Sequence, residues 1–476
     1  MIEKTNAINF IVNCLEHKCL SAFLGSGMSV KACGLDWKKL VEPYISLLPG
    51  NDTDQIKGLQ YYITQNKIDP IDFKKEIAEK FTRLKFDTRH EILAKLPIRN
   101  YWTTNFDTLI EDALKNTREQ RDVMTTNESF ITAEERRDNV VYKLHGDINE
   151  PQGIVILQDD YDRYEESHRN YVIALGNELA TNNMLFLGYS FNDPDIKNIL
   201  RLLNLNASTT QTHLLILKKA PKDKELAQKY SIDEFEKKGI ITCLIDEYTE
   251  IDEILNRVYK KYMARKIFVS GSSCGNYGKF SEVEAQDLLY KLGYTLIEDF
   301  KDQDINVISG YGLGVGPYLI EGAAEAVANN DLDFGKKLLV YPFPKKYYSV
   351  DSKDRSPELE DHFWHYREKM IDKCGIAFFL FGNKKDKDEN IIVADGVIKE
   401  FEIAHKQGKY VFPIGCTGGA AKLLADKVLS NYENYNKTSL EVKKLYCELN
   451  LPDITTDKII EKVCDIINLL AYRDNG

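Results

Sequence analysis

Short runs of consecutive apolar residues alternate with segments of helical periodicity along the whole chain. Parallel strands that are covered on both faces are continuously hydrophobic, so these runs predict buried parallel strands. The pattern therefore predicts an α/β fold made of doubly wound, Rossmann-like parallel sheets. The predicted strands are LSAFLG (20–25), NYWTT (100–104), NVVYKLHG (139–146), GIVIL (153–157), MLFLGYS (184–190), HLLILK (213–218), IITCLI (240–245), KIFVSGS (266–272), DINVISGYG (304–312), KLLVYPFP (337–344), GIAFFLFG (375–382) and KYVFPIG (409–415).

The strand runs fall into two groups. A chain of 476 residues is longer than one ordinary core requires, so two or three domains are expected. The basic segment YKKYMARK (259–266) has no strand pattern and separates the groups. We therefore predict two doubly wound domains, 1–264 and 265–476.

Composition and charge exclude several classes of partner. The chain is 43% hydrophobic and 29% charged, with a formal net charge of -11, which argues against a surface that binds nucleic acid. No apolar run approaches the length of a membrane span, and the N-terminus lacks a signal-peptide pattern. The nine scattered cysteines are typical of a reducing compartment. We expect a cytoplasmic protein without nucleic-acid or membrane partners.

The stretch NYWTTNFDTLIEDAL (100–114) begins as a strand and continues as a helix, with a polar turn between them. Asn105 and Asp107 lie in that turn. Helix capping explains one of them, because Asn or Asp satisfies the free N–H groups of a first turn. The second polar group indicates a ligand in the crevice where the strands end. Asp107 is thus assigned either to that ligand or to the cap.

Three other predicted strands of the first half end in glycine or polar turns. Glycines allow positive φ and close backbone approach and can present N–H groups to a phosphate, although such a turn can also bind nothing. A lone histidine is more often a structural hydrogen-bonding group than a catalyst, yet it is the natural general base near neutral pH. The residues that follow these strands are Gly25, Ser26, Gly27 and Ser29 in LSAFLGSGMSV, His145 in KLHGD, and Gly188 and Ser190 in FLGYSFNDP.

In this order, G-S-G-x-S, T-x-N-x-D, H-G and G-x-S resemble the NAD-binding core of the sirtuin family over residues 15–250. The resemblance implies that the N-terminal domain binds NAD+ and that His145 is the base. It further implies that Gly25, Ser26, Gly27 and Ser29 hold the pyrophosphate, Asn105 and Asp107 the nicotinamide ribose, and Gly188 and Ser190 the adenosine side.

One departure from the sirtuin pattern changes the expected chemistry. Deacylating sirtuins carry two C-x-x-C pairs that bind a structural zinc between the H-G and G-x-S motifs, whereas no cysteine lies between His145 and Ser190. We therefore expect no metal and no acyl-lysine cleft. Water then becomes the nucleophile, and NAD+ is hydrolysed to ADP-ribose and nicotinamide through an oxocarbenium-like state. Asn105 would orient the water or a ribose hydroxyl, and His145 would accept the proton.

The second half has its own glycine turns after strands, in KIFVSGSS and VISGYGLGVG. These turns can serve only close packing of helix on strand, and the charged residues nearby can be solvated surface. Together, however, VSGS, SGYGLGVG, YPFP and GVxxEF resemble the SLOG family, which senses or processes nucleotide-derived ligands. The resemblance implies a ligand site of Gly271, Ser272, Leu313, Phe343, Arg367, Lys384, Gly396 and Glu400. Arg367 and Lys384 suit a pyrophosphate, Phe343 a purine and Glu400 ribose hydroxyls.

A sirtuin-like domain followed by a SLOG domain resembles the effector family of the bacterial Thoeris anti-phage system. The resemblance implies that a cyclic ADP-ribose isomer, made by a TIR-domain partner, binds the SLOG domain and activates NAD+ hydrolysis, so that infected cells lose NAD+. A homo-oligomer, a tetramer or larger, is expected. Two alternatives stay open: a non-catalytic nucleotide-sensing module, and a sirtuin-type protein deacylase, which the missing cysteines disfavour.

Overall fold

The computed structural model describes residues 1–46, 54–117, 121–125, 139–190, 211–342 and 356–473. Contacts between residues divide the chain into two compact units, Met1–Tyr259 and Lys260–Gly476. Each unit has its own parallel sheet. The predicted α/β class with two doubly wound sheets is confirmed.

The first unit contains a seven-stranded parallel sheet in the order β3-β4-β2-β1-β5-β6-β7. Its strands are β1 (Leu20–Leu24), β2 (Asn100–Thr103), β3 (Arg121–Met124), β4 (Asn139–Lys143), β5 (Asn183–Leu187), β6 (His213–Lys218) and β7 (Ile240–Ile245). Its helices are α1 (Lys4–Glu16), α2 (Val30–Cys33), α3 (Trp37–Ile45), α4 (Gln55–Asn66), α5 (Pro70–Glu79), α6 (Thr88–Lys95), α7 (Leu109–Lys115), α8 (Gln158–Asp162), α9 (Tyr164–Ser167), α10 (Arg169–Thr181), α11 (Glu225–Lys237) and α12 (Glu250–Met263), which continues past the division between the units.

The strand order locates a crevice. From β1 the chain builds β2, β3 and β4 on one side of the sheet and then β5, β6 and β7 on the other. The order therefore reverses between β1 and β5. In open α/β sheets, ligands bind at the carboxyl ends of the strands beside such a reversal.

The predicted strand GIVIL (153–157) is wrong, because Gly153 ends an exposed 3-10 turn and residues 154–157 form a buried loop. The main-chain N–H of Val155 donates to the carbonyl of His145 at 3.0 Å, and that of Ile156 donates to the Asp160 carboxylate at 3.1 Å. Ile154 and Ile156 pack in an apolar cluster with side chains of α3, α4 and α5. A continuous apolar run reports burial, and by itself it does not distinguish a strand from another buried segment.

The second unit contains a five-stranded parallel sheet in the order β10-β9-β8-β11-β14, and its order reverses between β8 and β11. A separate antiparallel hairpin of β12 and β13 was not predicted. The strands are β8 (Lys266–Ser272), β9 (Asn306–Ser309), β10 (Leu338–Val340), β11 (Ile376–Phe381), β12 (Asn383–Lys385), β13 (Ile391–Val393) and β14 (Tyr410–Pro413). The helices are α13 (Glu282–Glu298), α14 (Gly316–Asn329), α15 (Phe334–Lys337), α16 (Pro357–Asp372), α17 (Asp395–Lys406), α18 (Gly419–Ser430), α19 (Tyr432–Tyr435), α20 (Leu440–Leu449) and α21 (Thr456–Ala471).

Candidate functional site

Strand register brings the candidate residues of the first unit to one edge of the sheet. Thr103, the last residue of β2, lies opposite Leu24 of β1 and Lys143 of β4, and Leu24 lies opposite Leu187 of β5. Asn105 comes two residues after Thr103, and His145 comes two residues after Lys143, the partner of Thr103. The turns after β1, β2, β4 and β5 are therefore neighbours at the carboxyl ends of the four central strands.

The glycines of the first turn serve backbone packing. Gly25 N donates to Leu187 O at 2.8 Å, and Gly27 N donates to Gly188 O at 3.0 Å. A Cβ added at Gly27 would lie 2.8 Å from Gly188 O, and Gly188 itself has φ of +80°. Two of the N–H groups that the sequence pattern assigned to a phosphate are thus used inside the protein. Ser26, which is half-buried, and Ser190, which is exposed, lie on the same two turns.

Asn105, Ser29 and Asp107 form a hydrogen-bonded chain. Asn105 Nδ2 donates to Gly25 O at 3.0 Å and to Ser29 Oγ at 2.9 Å, and Ser29 Oγ donates to Asp107 Oδ2 at 2.6 Å. Asp107 Oδ1 accepts the N–H of Leu109, the first residue of α7, at 3.1 Å. Because a main-chain carbonyl only accepts, Gly25 O requires the nitrogen of the Asn105 amide on its side. The amide oxygen is then the group that Asn105 can offer to a ligand.

His145 is buried at the end of β4 among aromatic side chains. Its ring meets Tyr161 edge to face with centroids 5.6 Å apart, and Tyr164 with centroids 6.0 Å apart. Tyr164 stacks on His168 and donates from its hydroxyl to Leu144 O at 3.0 Å. Burial lowers the pKa of His145 to about 4, so the imidazole is neutral at pH 7. A neutral imidazole can accept a proton.

Sequence reasoning missed a buried charged cluster at this edge. Lys143, Glu111 and Asp147 have almost no exposed surface, and the two carboxylates pair with the lysine ammonium. A lysine at the end of the apolar run NVVYKL was the available signal.

The glycine turns of the second unit also meet at one edge. Gly271 and Ser272 end β8 opposite Leu380 and Phe381 of β11. Leu313, in the turn after β9, accepts the N–H of Ser273 through its carbonyl at 2.7 Å, while its side chain is 74% exposed. The two turns are thus joined by main-chain contact, and the Leu313 side chain is exposed beside them.

Arg367 and Glu400 form a buried ion pair. Arg367 Nε lies 3.4 Å from Glu400 Oε1, and Ser270 Oγ donates to Glu400 Oε2 at 2.6 Å. A Cβ added at Gly396 would lie 3.2 Å from Arg367 Nη2, so Gly396 leaves room for the guanidinium. Burial raises the pKa of Glu400, and Arg367 opposes that rise. Ser270 is a further residue that sequence reasoning missed.

Lys384 pairs with Asp395, the first residue of α17. Burial opposes ionisation of Asp395, but Lys384 and Lys399 outweigh it and lower the pKa of Asp395. Phe343 lies outside the described residues. Of the eight predicted ligand residues, the structure therefore describes seven, and it gives the charged ones internal partners.

In the described part of the chain, no group of three or more His, Cys, Asp or Glu side chains could hold a metal ion. Within the same residues, no helix is long and apolar enough to cross a membrane.

Comparison with known proteins gives matches over both units. Residues 99–242 match the SIR2-like domain, and residues 250–470 match the Sir2- and TIR-associating SLOG family. The NAD(+) hydrolase ThsA of Bacillus cereus (strain MSX-D12) is 33% identical over 466 residues, which cover 94% of each chain. The protein of the same name from Acinetobacter baumannii (strain 532279) is 31% identical and covers 98% of this chain and 99% of its own. A solved complex of a Sir2 homolog with NAD is 13% identical, with a TM-score of 0.34, and covers 53% of this chain and 94% of its own.

Proposed function

The chain belongs to the family of NAD(+) hydrolases named ThsA, and from that premise we propose how its first unit hydrolyses NAD+ to ADP-ribose and nicotinamide. The observation that carries the proposal is that a fixed amide and a neutral, buried imidazole follow two strands that pair with each other. Asn105 follows β2, and His145 follows β4, which pairs with β2.

The bond that breaks joins the nicotinamide nitrogen to the ribose anomeric carbon. Its electron pair leaves with nicotinamide, which departs as a neutral pyridine, and the ribose passes through an oxocarbenium-like state. Water attacks the anomeric carbon and forms the new C–O bond. His145 takes the proton that the water loses, which its depressed pKa permits because the imidazole is neutral at pH 7.

Asn105 orients the reacting groups through its amide oxygen. Its nitrogen is held by Gly25 O and Ser29 Oγ, so the direction of the oxygen is set before NAD+ arrives. Preorganised polar groups cost no reorganisation during the reaction. Asp107 supports this arrangement by accepting from Ser29 and from the first N–H of α7, which favours a supporting role over direct contact with ribose.

The test is NAD+ hydrolysis by the full chain, measured as nicotinamide release with and without each of a panel of cyclic ADP-ribose isomers. Loss of a general base or of the orienting amide should lower kcat by about 10²–10⁴-fold in His145→Ala and Asn105→Ala. Asn100 lies at the opposite end of the same strand and donates to Glu178, so Asn100→Ala is the matched control and should keep activity. If neither the wild type nor any variant releases nicotinamide with any isomer, the result would favour the non-catalytic sensor.

The second unit is proposed to bind a cyclic ADP-ribose isomer, made by a TIR-domain partner, that activates hydrolysis and so depletes NAD+ in infected cells. The matched family description, which names association with TIR domains, supports this proposal. Gly271, Ser272 and Leu313 would contact the ligand from the glycine turns. Arg367 and Lys384 would exchange their carboxylate partners for the ligand's pyrophosphate. Isothermal titration with each isomer tests the site.

A homo-oligomer, a tetramer or larger, and a cytoplasmic location complete the proposal. The apolar strand β13 supports self-association, because Ile391, Ile392 and Val393 are each 39–50% exposed. The nine cysteines are all free thiols, which supports a reducing compartment. Light scattering with and without activator would measure the oligomer, and a monomer under both conditions would contradict it.

A further inference from the structure

Lys143 is a fully buried lysine next to the turn that carries Asn105. It is the last residue of β4 and lies opposite Thr103 of β2. Its Nζ donates to the main-chain carbonyl of Phe106 at 3.2 Å and to that of Asp107. The lysine therefore holds the Asn105 turn from the neighbouring strand.

The same ammonium also holds two carboxylates. Nζ lies 2.7 Å from Asp147 Oδ2 and 2.9 Å from Glu111 Oε1. Asp147 follows His145 by two residues, and its Oδ1 accepts the N–H of Asn149 at 2.7 Å. Glu111 lies in the first turn of α7. One ammonium thus joins the Asn105 turn, the His145 turn and the start of α7.

The surroundings keep this lysine charged. Burial disfavours the ammonium, but Glu111, Asp147 and Asp107 outweigh burial and raise the pKa of Lys143. Burial also raises the pKa of Glu111, and Lys143 opposes that rise. The lysine therefore stays a donor across the neutral range.

Among the described residues, the amino edge of the same sheet has a buried carboxylate that is held by neutral donors. There, buried Glu178 accepts from Ser21 Oγ, from Asn100 Nδ2 at 3.0 Å and from Asn182 Nδ2 at 3.0 Å. A buried ion pair is weak evidence for stability, because well-packed neutral groups of similar size often serve as well. Glu178 is thus held by neutral donors, whereas the carboxylates at the carboxyl edge are held by a buried ammonium.

We propose that Lys143 is a positioning residue that fixes the separation and orientation of Asn105 and His145, with Glu111 and Asp147 holding its ammonium in place. This inference rests on the proposed NAD+ hydrolysis. Lys143 acts through the main chain of one turn and the Asp147 carboxylate of the other, and it does not contact the reacting atoms itself. A misplacement of about 1 Å in a catalytic group can cost roughly 10²-fold in rate.

The experiment compares Lys143→Met, Lys143→Arg and Glu111→Gln with the control Glu178→Gln, which makes the same change in a buried carboxylate at the opposite edge. For each full-length variant, kcat and KM for NAD+ are measured with activator, and the thermal melt by circular dichroism. We expect kcat to fall by roughly 10–10²-fold in the Lys143 and Glu111 variants while KM stays within about threefold, because orientation is lost and NAD+ contacts are kept. Glu178→Gln should lower the melting temperature without lowering kcat.

Lys143→Arg keeps the charge and moves the donors onto a longer planar group, so it tests geometry if Lys143→Met does not fold. Wild-type kcat in folded Lys143→Arg and Glu111→Gln would overturn the inference. An equal fall of kcat in Glu178→Gln at a matched melting temperature would do the same, since the effect would then be one of stability. A wild type that releases no nicotinamide would instead overturn the proposed function.

Discussion

The carboxyl edges of the two sheets hold their polar groups in different ways. In the first unit, Asn105, Ser29 and Asp107 are joined by hydrogen bonds that also involve the main chain of the neighbouring turns. The ion pairs beside them are buried, and their lysine, Lys143, also holds main-chain carbonyls. In the second unit, Arg367 is held by Glu400 and Lys384 by Asp395, and these bonds are ion pairs between side chains.

The difference matches two tasks. A catalytic site gains from polar groups that are fixed before the substrate arrives. A sensing site must change on binding, and a ligand shifts an equilibrium only as far as its affinities for two states differ. In the proposed activation, phosphate oxygens of the ligand would replace the carboxylates beside Arg367 and Lys384 and so release Glu400 and Asp395. The contrast is therefore between a fixed edge in the first unit and an exchangeable edge in the second, and variants at both edges can test it.

In the second unit, the largest effect on stability is expected from Arg367→Ala. Removing one partner of a buried ion pair leaves the other charge uncompensated, which costs about 3–5 kcal/mol of unfolding free energy. Lys384→Ala, in the half-exposed pair with Asp395, should cost less than about 1 kcal/mol. Urea unfolding measures both, and activator titration should show weaker binding in both. Equal stability costs would contradict the assigned difference in burial.

The pH dependence of NAD+ hydrolysis tests the fixed edge. Burial lowers the pKa of His145 to about 4, and the base must be neutral. Activity should therefore stay level from pH 8 to about pH 5 and fall only as the pH drops through about 4, whereas a histidine of ordinary pKa near 6.5 would lose about 30-fold by pH 5. The measurement is kcat/KM against pH at saturating activator. A fall centred near pH 6.5 would show that the imidazole is solvated in the working enzyme.

Glycine-to-alanine substitutions test whether the neighbouring atoms at each edge can move to make room for an added Cβ. A Cβ at Gly27 would lie 2.8 Å from Gly188 O and 2.9 Å from Gly188 Cα, which are backbone atoms. Gly27→Ala should cost about 1–3 kcal/mol, the range for overpacking, and should lower activity because the β1 and β5 turns separate. At Gly396 the nearest atom is Arg367 Nη2 at 3.2 Å, the end of a flexible side chain, so Gly396→Ala should cost less than about 1 kcal/mol. Calorimetry of both variants would reveal a reversed order.

The smallest effect is expected at Tyr311, which follows β9 with φ of +57° and is 43% exposed. Left-handed backbone is unfavourable for a residue with a side chain, and Gly316 makes room for it, since a Cβ there would lie 2.5 Å from Tyr311 Cα. Left-handed backbone costs a residue with a side chain roughly 1–2 kcal/mol, and glycine loses about 0.5–1 kcal/mol more chain entropy on folding, so Tyr311→Gly should stabilise the second unit by about 0.5–1 kcal/mol. The thermal melt measures the gain. A destabilised variant would show that the tyrosine ring contributes more than its backbone costs.

Much of the fold follows from apolar runs, because parallel strands covered on both faces must be continuously hydrophobic. The same signal failed at 153–157, where the apolar run is a loop buried under helices. It also missed the hairpin of β12 and β13, whose first strand is the polar NKK. Apolar runs predict that a segment is buried, but they do not predict which element covers it.

The residue types at the strand ends can be predicted from the amino-acid sequence alone, and with them the family resemblance and the candidate chemistry of Asn105 and His145. The way in which those groups are held is visible only in the folded molecule: Asp107 accepts from Ser29 and from the start of α7, the glycines join two turns, and Lys143 contacts both the Asn105 turn and the His145 turn. The physical reason is that these contacts join segments far apart in the chain. Strand order and register bring them within hydrogen-bonding distance, and no local pattern encodes which donor will meet which acceptor.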